Sequence, residues 1–382
     1  MRTRTLAALA VSAALAALLP EPASAIPAFA RRYRFSCTTC HTAFPQLRPF
    51  GTEFAGRGFA LEPGQEPAGA SIDAGDPLLA LPRHFPLAVR FDAFAQASEE
   101  TPEVDFQAPW IVKLLTGGQI APKVGFYAYF IIEEGEVIGF EDAYVHFDEV
   151  FGAPLDVLVG QFQLSDPIAK REVRLTRLDY AVFKARVGLS PVDLTYDRGV
   201  ALALSVAGFD AVGTVTNGTG LSSGAAFDGD NFKNYGLDLA RGFGPVRLGV
   251  YGFYGKQREA GVVNDTWVAG PHLDVALGQA AALRGAWLER RDSNATFVDG
   301  EAEIATRGGF VEATWYPQGW NGRWAVVGLY NNVASDDDAA DVESAGLAGT
   351  WLFRRNVRLT AEVDYDLDAE RWTGSVGTVV AY

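Results

Sequence analysis

The 382-residue chain holds only two cysteines, four histidines and one methionine, Met1. Two cysteines and scattered histidines fall short of the four ligands a closed zinc site needs. No Ser/His/Asp arrangement or phosphate-cradling glycine motif occurs, so hydrolytic and group-transfer chemistry finds no support. Basic residues number 32 against 47 acidic ones, a formal charge of −15, which speaks against nucleic acid as a partner. Beyond the first 25 residues there is no run of about 18 apolar residues, which excludes a helical inner-membrane protein.

The first 25 residues read as an export signal. Arg2 and Arg4 form a basic start, Leu6 to Leu19 a short apolar run, and Ala23-Ser24-Ala25 a small-residue cleavage site. The expected mature chain begins at Ile26 in an oxidising compartment.

The two cysteines stand together in Cys37-Thr38-Thr39-Cys40-His41. Two thiols at this spacing add to the two vinyl groups of one porphyrin, and the next side chain falls under the iron as its proximal imidazole. Cys37, Cys40 and His41 are therefore expected to hold one covalent haem c. A disulfide or redox dithiol with a chance histidine behind it is the competing reading. Residues 26–60 form this haem segment, too short to bury a haem unaided, since chains below about 40 residues seldom fold alone. Residues 61–84, rich in proline and glycine, read as a linker.

From residue 85 to 382 the chain falls into stretches of about ten residues that alternate apolar and polar, the pattern of a membrane barrel. In 357–367, Val357, Leu359, Ala361, Val363 and Tyr365 interleave with Arg358, Thr360, Glu362, Asp364 and Asp366. Sixteen strands are expected, near 85–97, 109–119, 122–133, 140–148, 155–164, 198–206, 209–217, 233–241, 245–256, 265–277, 280–291, 304–316, 321–332, 342–353, 356–367 and 370–382. Short turns alternate with longer connections, and an even count returns the C-terminus to the side of the haem segment. The reading is all-β, a 16-stranded transmembrane β-barrel with the haem segment plugging its lumen. A soluble β-sandwich is the alternative, with shorter strands and a polar outward face.

One connection, 165–197, is far longer than the rest; its Tyr180, Val182 and Phe183 argue against disorder, so it is expected to fold into the pore. Its Lys170, Arg171, Arg174 and Arg177 are expected near the haem, facing propionates or acidic lumen residues. The other outer loops, from 98–108 to 333–341, sum to a net charge of −16, a field that attracts cations.

The run Ile26-Pro-Ala-Phe-Ala-Arg, the Cys-x-x-Cys-His motif, Phe44-Pro-x-Leu, Phe50-Gly and Gly58-Phe59 resemble the start of the fused outer-membrane monohaem cytochrome–porins, whose best-known members are iron(II) oxidases. Gly160-Gln161-Phe162, Ser165-Asp166-Pro167 and Arg171-Glu172-x-Arg174-Leu175-Thr176 extend the likeness into the barrel. The resemblance implies one haem c in a 16-stranded pore, passing electrons from an extracellular reductant such as Fe²⁺ to a periplasmic c-type cytochrome or other carrier. The chain departs from it at Arg32-Tyr33-Arg34, where the iron-oxidising members favour Gln-Thr-Gly, and this bears on the iron substrate. A solute or metal-ion porin with a structural or sensory haem plug is the alternative, and a soluble periplasmic cytochrome a third class.

Because Met1 is expected to leave with the export signal, histidine–methionine ligation is excluded for the mature protein. The distal ligand is then another residue, with His84 and His146 ranked ahead of His272, or the site is open to water or a small donor.

Overall fold

The computed structural model describes residues 28–62, 65–67, 69–76, 78–79, 81–100, 103–220 and 230–382. The expected export signal and the middle of the 218–232 connection lie outside the described residues.

Alternation of apolar and polar residues produces strands, and pairing them in order produces the architecture. The barrel strands are β3 (Leu87–Ser98), β4 (Asp105–Ala121), β5 (Val124–Glu133), β6 (Glu136–Phe147), β7 (Leu155–Gln163), β8 (Tyr196–Val206), β9 (Phe209–Thr216), β10 (Asn234–Phe243), β11 (Val246–Glu259), β12 (Val262–Leu277), β13 (Ala281–Asp292), β14 (Ile304–Trp315), β15 (Trp324–Ser335), β16 (Val342–Arg354), β17 (Val357–Asp366) and β18 (Arg371–Ala381). Each pairs antiparallel with its neighbours in sequence, and β18 closes the ring on β3 with Val380 opposite Phe91 and Val376 opposite Ala95. The result is a closed 16-stranded β-barrel, and the expected strand count and order stand.

The alternation sorts side chains by solvent. Val363 and Val376 face outward, 56% and 63% exposed, whereas Arg358 and Glu362 face the lumen at 3% and 2%. Aromatic residues ring both outward ends, Phe209, Phe243, Trp315 and Trp324 at one and Tyr235, Trp267, Tyr365 and Trp372 at the other. A polar interior inside an apolar jacket with two aromatic girdles is what lipid on the outside and water on the inside select. The β-sandwich alternative fails on this inversion.

Two connections are shorter than expected. Asp105–Gln107 extend β4 by pairing with Phe94–Gln96 past a register shift at Asp92/Phe94. Glu133 pairs with Glu136, so 134–139 shrinks to the turn Glu134-Gly135. In both, strand pairing continues through charged residues, because lumen-facing positions tolerate charge.

Ahead of the barrel stand α1 (Ala28–Tyr33), α2 (Cys37–Cys40) and α3 (Pro49–Gly56). Ser36 caps α2 by accepting the Thr38 N–H at 3.4 Å. Pro49 opens α3 at a position where its missing N–H costs nothing. The expected linker contains a small ribbon, β1 (Ser71–Ile72) paired with β2 (Leu81–Pro82).

A 16-stranded barrel is wide enough to leave an open channel, yet this lumen is occupied from two directions. The helical segment enters at the end with the short turns: Arg48 donates to Trp320 O and Asn321 Oδ1 in the β14–β15 turn, and Thr42 Oγ1 lies 3.2 Å from Tyr316 Oη. The 165–197 connection enters at the end with the long loops. Within it α4 (Ala181–Lys184) and Tyr180 pack on the β14 wall, with Tyr180 stacked on Phe310 at 4.2 Å and Phe183 fully buried. The long connection folds into the pore, as its aromatic content predicts.

Candidate functional site

The Cys37–His41 segment is shaped by its own backbone. His41 N–H donates to Cys37 O at 2.8 Å, and His41 forms an antiparallel bridge with Leu47. Arg48 N–H donates to Cys40 O at 2.8 Å, tying α3 to the motif. Gly51 of α3 lies so close that a Cβ there would sit 2.4 Å from Cys40 O.

His41 Nδ1 lies 3.1 Å from Pro45 O. A carbonyl oxygen only accepts, so Nδ1 carries the proton and the lone pair is on Nε2, the arrangement that second-shell bonds impose on metal-binding imidazoles. Burial holds the His41 imidazole below its ordinary range, against the opposing effect of the Pro45 and Gln46 carbonyls and of Glu172. It is thus neutral, the form that ligates metals. Cys37 and Cys40 are free thiols one helical turn apart. Burial raises both, and with Cys37 beside it Cys40 is pushed up to about 11. Redox dithiols work through a lowered thiol pKa, and burial acts on these two thiols in the opposite direction. The residues fit a covalent haem c: two thiols able to form thioether bonds to the vinyl groups and one pre-oriented imidazole.

The remaining motif residues have structural work. Phe44 is buried with Leu175, Val327 and Leu352, under the Arg358 guanidinium at 5.7 Å. Phe59 stacks on Phe29 at 4.9 Å and meets Tyr127 of β5 at 5.0 Å. Tyr33 donates to Phe59 O at 3.0 Å, and Arg32 pairs with Glu66 at 3.2 Å. The departure from the iron-oxidising pattern at Arg32-Tyr33 therefore serves packing of the segment against itself, its linker and the wall.

The 165–197 connection, third of those at the long-loop end in chain order, reaches the segment. Leu175 shares the buried cluster of Phe44, Glu172 is among the charges acting on His41, and Tyr127 Oη donates to Glu172 Oε1 at 2.5 Å. Lys170 faces lumen carboxylates, Asp142 at 3.2 Å and the loop's own Asp166 at 2.8 Å. Arg171 and Arg174 both pair with Asp179 of the same loop. Burial raises the Asp179 carboxyl, but Arg174 and Arg171 outweigh it and hold it well below the carboxylate range. Arg177 lies against the edge-to-face rings of Trp110 and Phe94 at 4.4 and 4.8 Å and donates to Gln96 and Gln107. The expectation of four cations around acidic lumen groups thus divides: Lys170 meets one, two close the loop on itself, and Arg177 meets glutamines.

On the loop end of this plug lies a cavity of about 810 Å³. Its lining holds six carboxylates, among them Glu133, Glu141 and Asp364, and six cations, among them Lys113, Arg174 and Lys184. The acidic charge expected at the mouth is confined to the outermost loops; the vestibule beneath is balanced.

The histidines lie apart. His84 is exposed on the linker. His272 is buried in the wall with Nε2 2.6 Å from Asp238 Oδ1. His146 is buried near the turn end, with Nε2 3.7 Å from Asp156 Oδ2. Sequence parity finds His146 and Asp148 on one face, but Asp156 comes from the next strand.

No family model matches the chain, and no curated protein matches it. Solved structures do. The anion-selective porin from Comamonas acidovorans superposes with a TM-score of 0.59 at 14% identity, over 78% of this chain and 98% of that one. OmpT of Vibrio cholerae gives 0.54 at 10% identity, over 82% and 100%. The outer membrane channel DcaP of Acinetobacter baumannii gives 0.56 at 12%, over 78% and 96%. At such identities the likeness is one of fold: the chain has a porin-like barrel.

Proposed function

We propose that this chain passes electrons across a bacterial outer membrane through one haem c, covalently held by Cys37 and Cys40 with His41 as proximal ligand, inside a porin-like barrel. The observation that carries the reading is the His41 Nδ1 to Pro45 O contact of 3.1 Å directly behind a Cys-x-x-Cys-His motif. It presents a neutral Nε2 where the two thiols would seat a porphyrin. When bound, haem c supplies a one-electron couple. The apolar jacket and the porin likeness support an outer-membrane location, with lipid around the barrel, short turns on the periplasmic side and long loops outside.

The chain's own residues then divide the work. The loop-end vestibule admits an extracellular reductant, for which Fe²⁺ is the first candidate, through an acidic rim that concentrates cations. The third loop and the aromatic packing around Phe44 and Phe59 keep the lumen closed to bulk flow. At the turn end the half-exposed Cys37–Cys40 helix faces a periplasmic c-type cytochrome or another carrier. In this reading the protein is an electron carrier or an iron(II) oxidase-type oxidoreductase.

The test is stopped-flow mixing of the purified, haem-stained protein with Fe²⁺ or organic reductants, alongside planar-bilayer conductance. Reduction of the haem by an external donor with low conductance supports the reading. A redox-silent protein with porin-sized conductance supports the alternative, a solute or metal-ion porin with a structural or sensory haem plug, which the porin neighbours and the charge-balanced vestibule favour.

A further inference from the structure

The turn end of the barrel carries an arrangement that electron transfer does not use. His146 is the penultimate residue of β6, Asp148 follows in the turn, and Asp156 is the second residue of β7. One ligand atom from each lies within 4.8 Å of the others. The His146 side chain is 4% exposed, and its buried Nε2 has no hydrogen-bond partner among the described residues. That nitrogen points at Asp156 Oδ2 from 3.7 Å, too far for a hydrogen bond. Two ligands each about 2.1 Å from a shared ion, at an angle of roughly 120°, are separated by this distance.

The surroundings hold the ligands still. Asp156 Oδ1 accepts the Glu149 N–H at 2.9 Å, which leaves Oδ2 for the imidazole side. Asp148 N–H donates to Lys123 O at 2.9 Å, fixing its turn to the adjacent β4–β5 turn. Gly58 of the haem segment covers the ring, where a Cβ would sit 3.3 Å from His146 Nδ1.

We propose that His146, Asp148 and Asp156 form a binding site for one divalent first-row cation, separate from the haem. One imidazole and two carboxylates suit borderline ions of the Zn²⁺ and Fe²⁺ kind, whereas Ca²⁺ and Mg²⁺ select all-oxygen sites. Asp156 is partly exposed, so the remaining coordination positions are open to water from the turn end. Bound there, the ion joins the two arms of the β6–β7 turn beneath the point where Gly58 seats. Its occupation also commits His146 Nε2 to the cation and removes this residue from the distal haem candidates. The site does not depend on the haem reading.

The experiment uses the full chain as purified in detergent, with whatever haem it carries, stripped with a chelator, dialysed and titrated with Zn²⁺. Binding is read by calorimetry and by zinc counted separately from haem iron. One equivalent is expected for the wild type, with affinity at least tenfold weaker in His146→Ala and in Asp156→Asn, and with haem content and spin state unchanged in both. Asp148→Asn, in the turn, gives the same reading should a strand variant fail to fold. Equal zinc binding by wild type and variants overturns the site, as does a wild type that binds none. A changed haem spin state in His146→Ala also overturns it, by assigning His146 to the haem.

Discussion

Gly58 and Gly125 meet backbone to backbone: a Cβ on Gly125 would stand 2.1 Å from Gly58 O. One belongs to the N-terminal helical segment and the other to β5, so that segment is seated where neither backbone carries a side chain. Gly125→Ala is expected to unseat the C-terminal end of the segment while leaving the barrel closed, since overpacking a tight contact costs about 1–3 kcal/mol. Protease sensitivity of residues 28–62 and planar-bilayer conductance measure it. Unchanged conductance and unchanged cleavage would show that the seat does not depend on this contact.

The two thiols are expected to be covalently occupied. Cys37→Ala and Cys40→Ala should each leave a heat-modifiable, folded barrel while haem staining of the denatured polypeptide weakens, and the double variant should show none. Covalent haem surviving in the double variant would remove the basis of the proposed function.

Tyr316 joins wall to plug through a hydroxyl that contacts Thr42 Oγ1 at 3.2 Å and donates to Gln46 Oε1. Tyr316→Phe leaves the buried Gln46 amide oxygen with only the Thr42 hydroxyl, at 3.4 Å, at a cost of about 1 kcal/mol. The effect should appear as faster hydrogen exchange across residues 42–48, with the barrel's thermal transition little moved.

The third loop is pinned by Asp179 between Arg171 and Arg174. Because the folded carboxyl sits below its ordinary range, its contribution is fully present above the unfolded pKa of about 4 and is lost as pH falls further. Loop loosening is therefore expected in acid and not near neutrality. Asp179→Asn should reproduce it at pH 7, since breaking a buried pair from one side costs about 3 kcal/mol. Trypsin cleavage after Arg171 and Arg174 is the readout, and a loop equally resistant in the variant at pH 7 would argue that Tyr180 and Phe183 hold it alone.

The barrel was legible in the sequence because its rule is local. Alternation needs only the residues at i and i+2, and Val363 and Glu362 take opposite faces whichever strand lies beside them. The Cys-x-x-Cys-His motif is local too, and the proposal of a haem there rests on the spacing of Cys37, Cys40 and His41. Composition sufficed to bring the third loop inside, since Tyr180 and Phe183 have no stable place in water.

What only the tertiary structure decided are the meetings of residues far apart along the chain. Arg171 and Arg174 both turn to Asp179, a residue of their own loop. Tyr127 finds Glu172, Thr42 finds Tyr316, and Gly58 settles on Gly125 only once the ring has closed and the segment has entered it. His146 and Asp148 share a face by parity, but Asp156 joins them through the register of β6 against β7, with His146 opposite Leu158. Register and barrel closure are long-range properties, set by the summed pairing of sixteen strands. No local stretch encodes them, and the contacts that seat the plug follow from them.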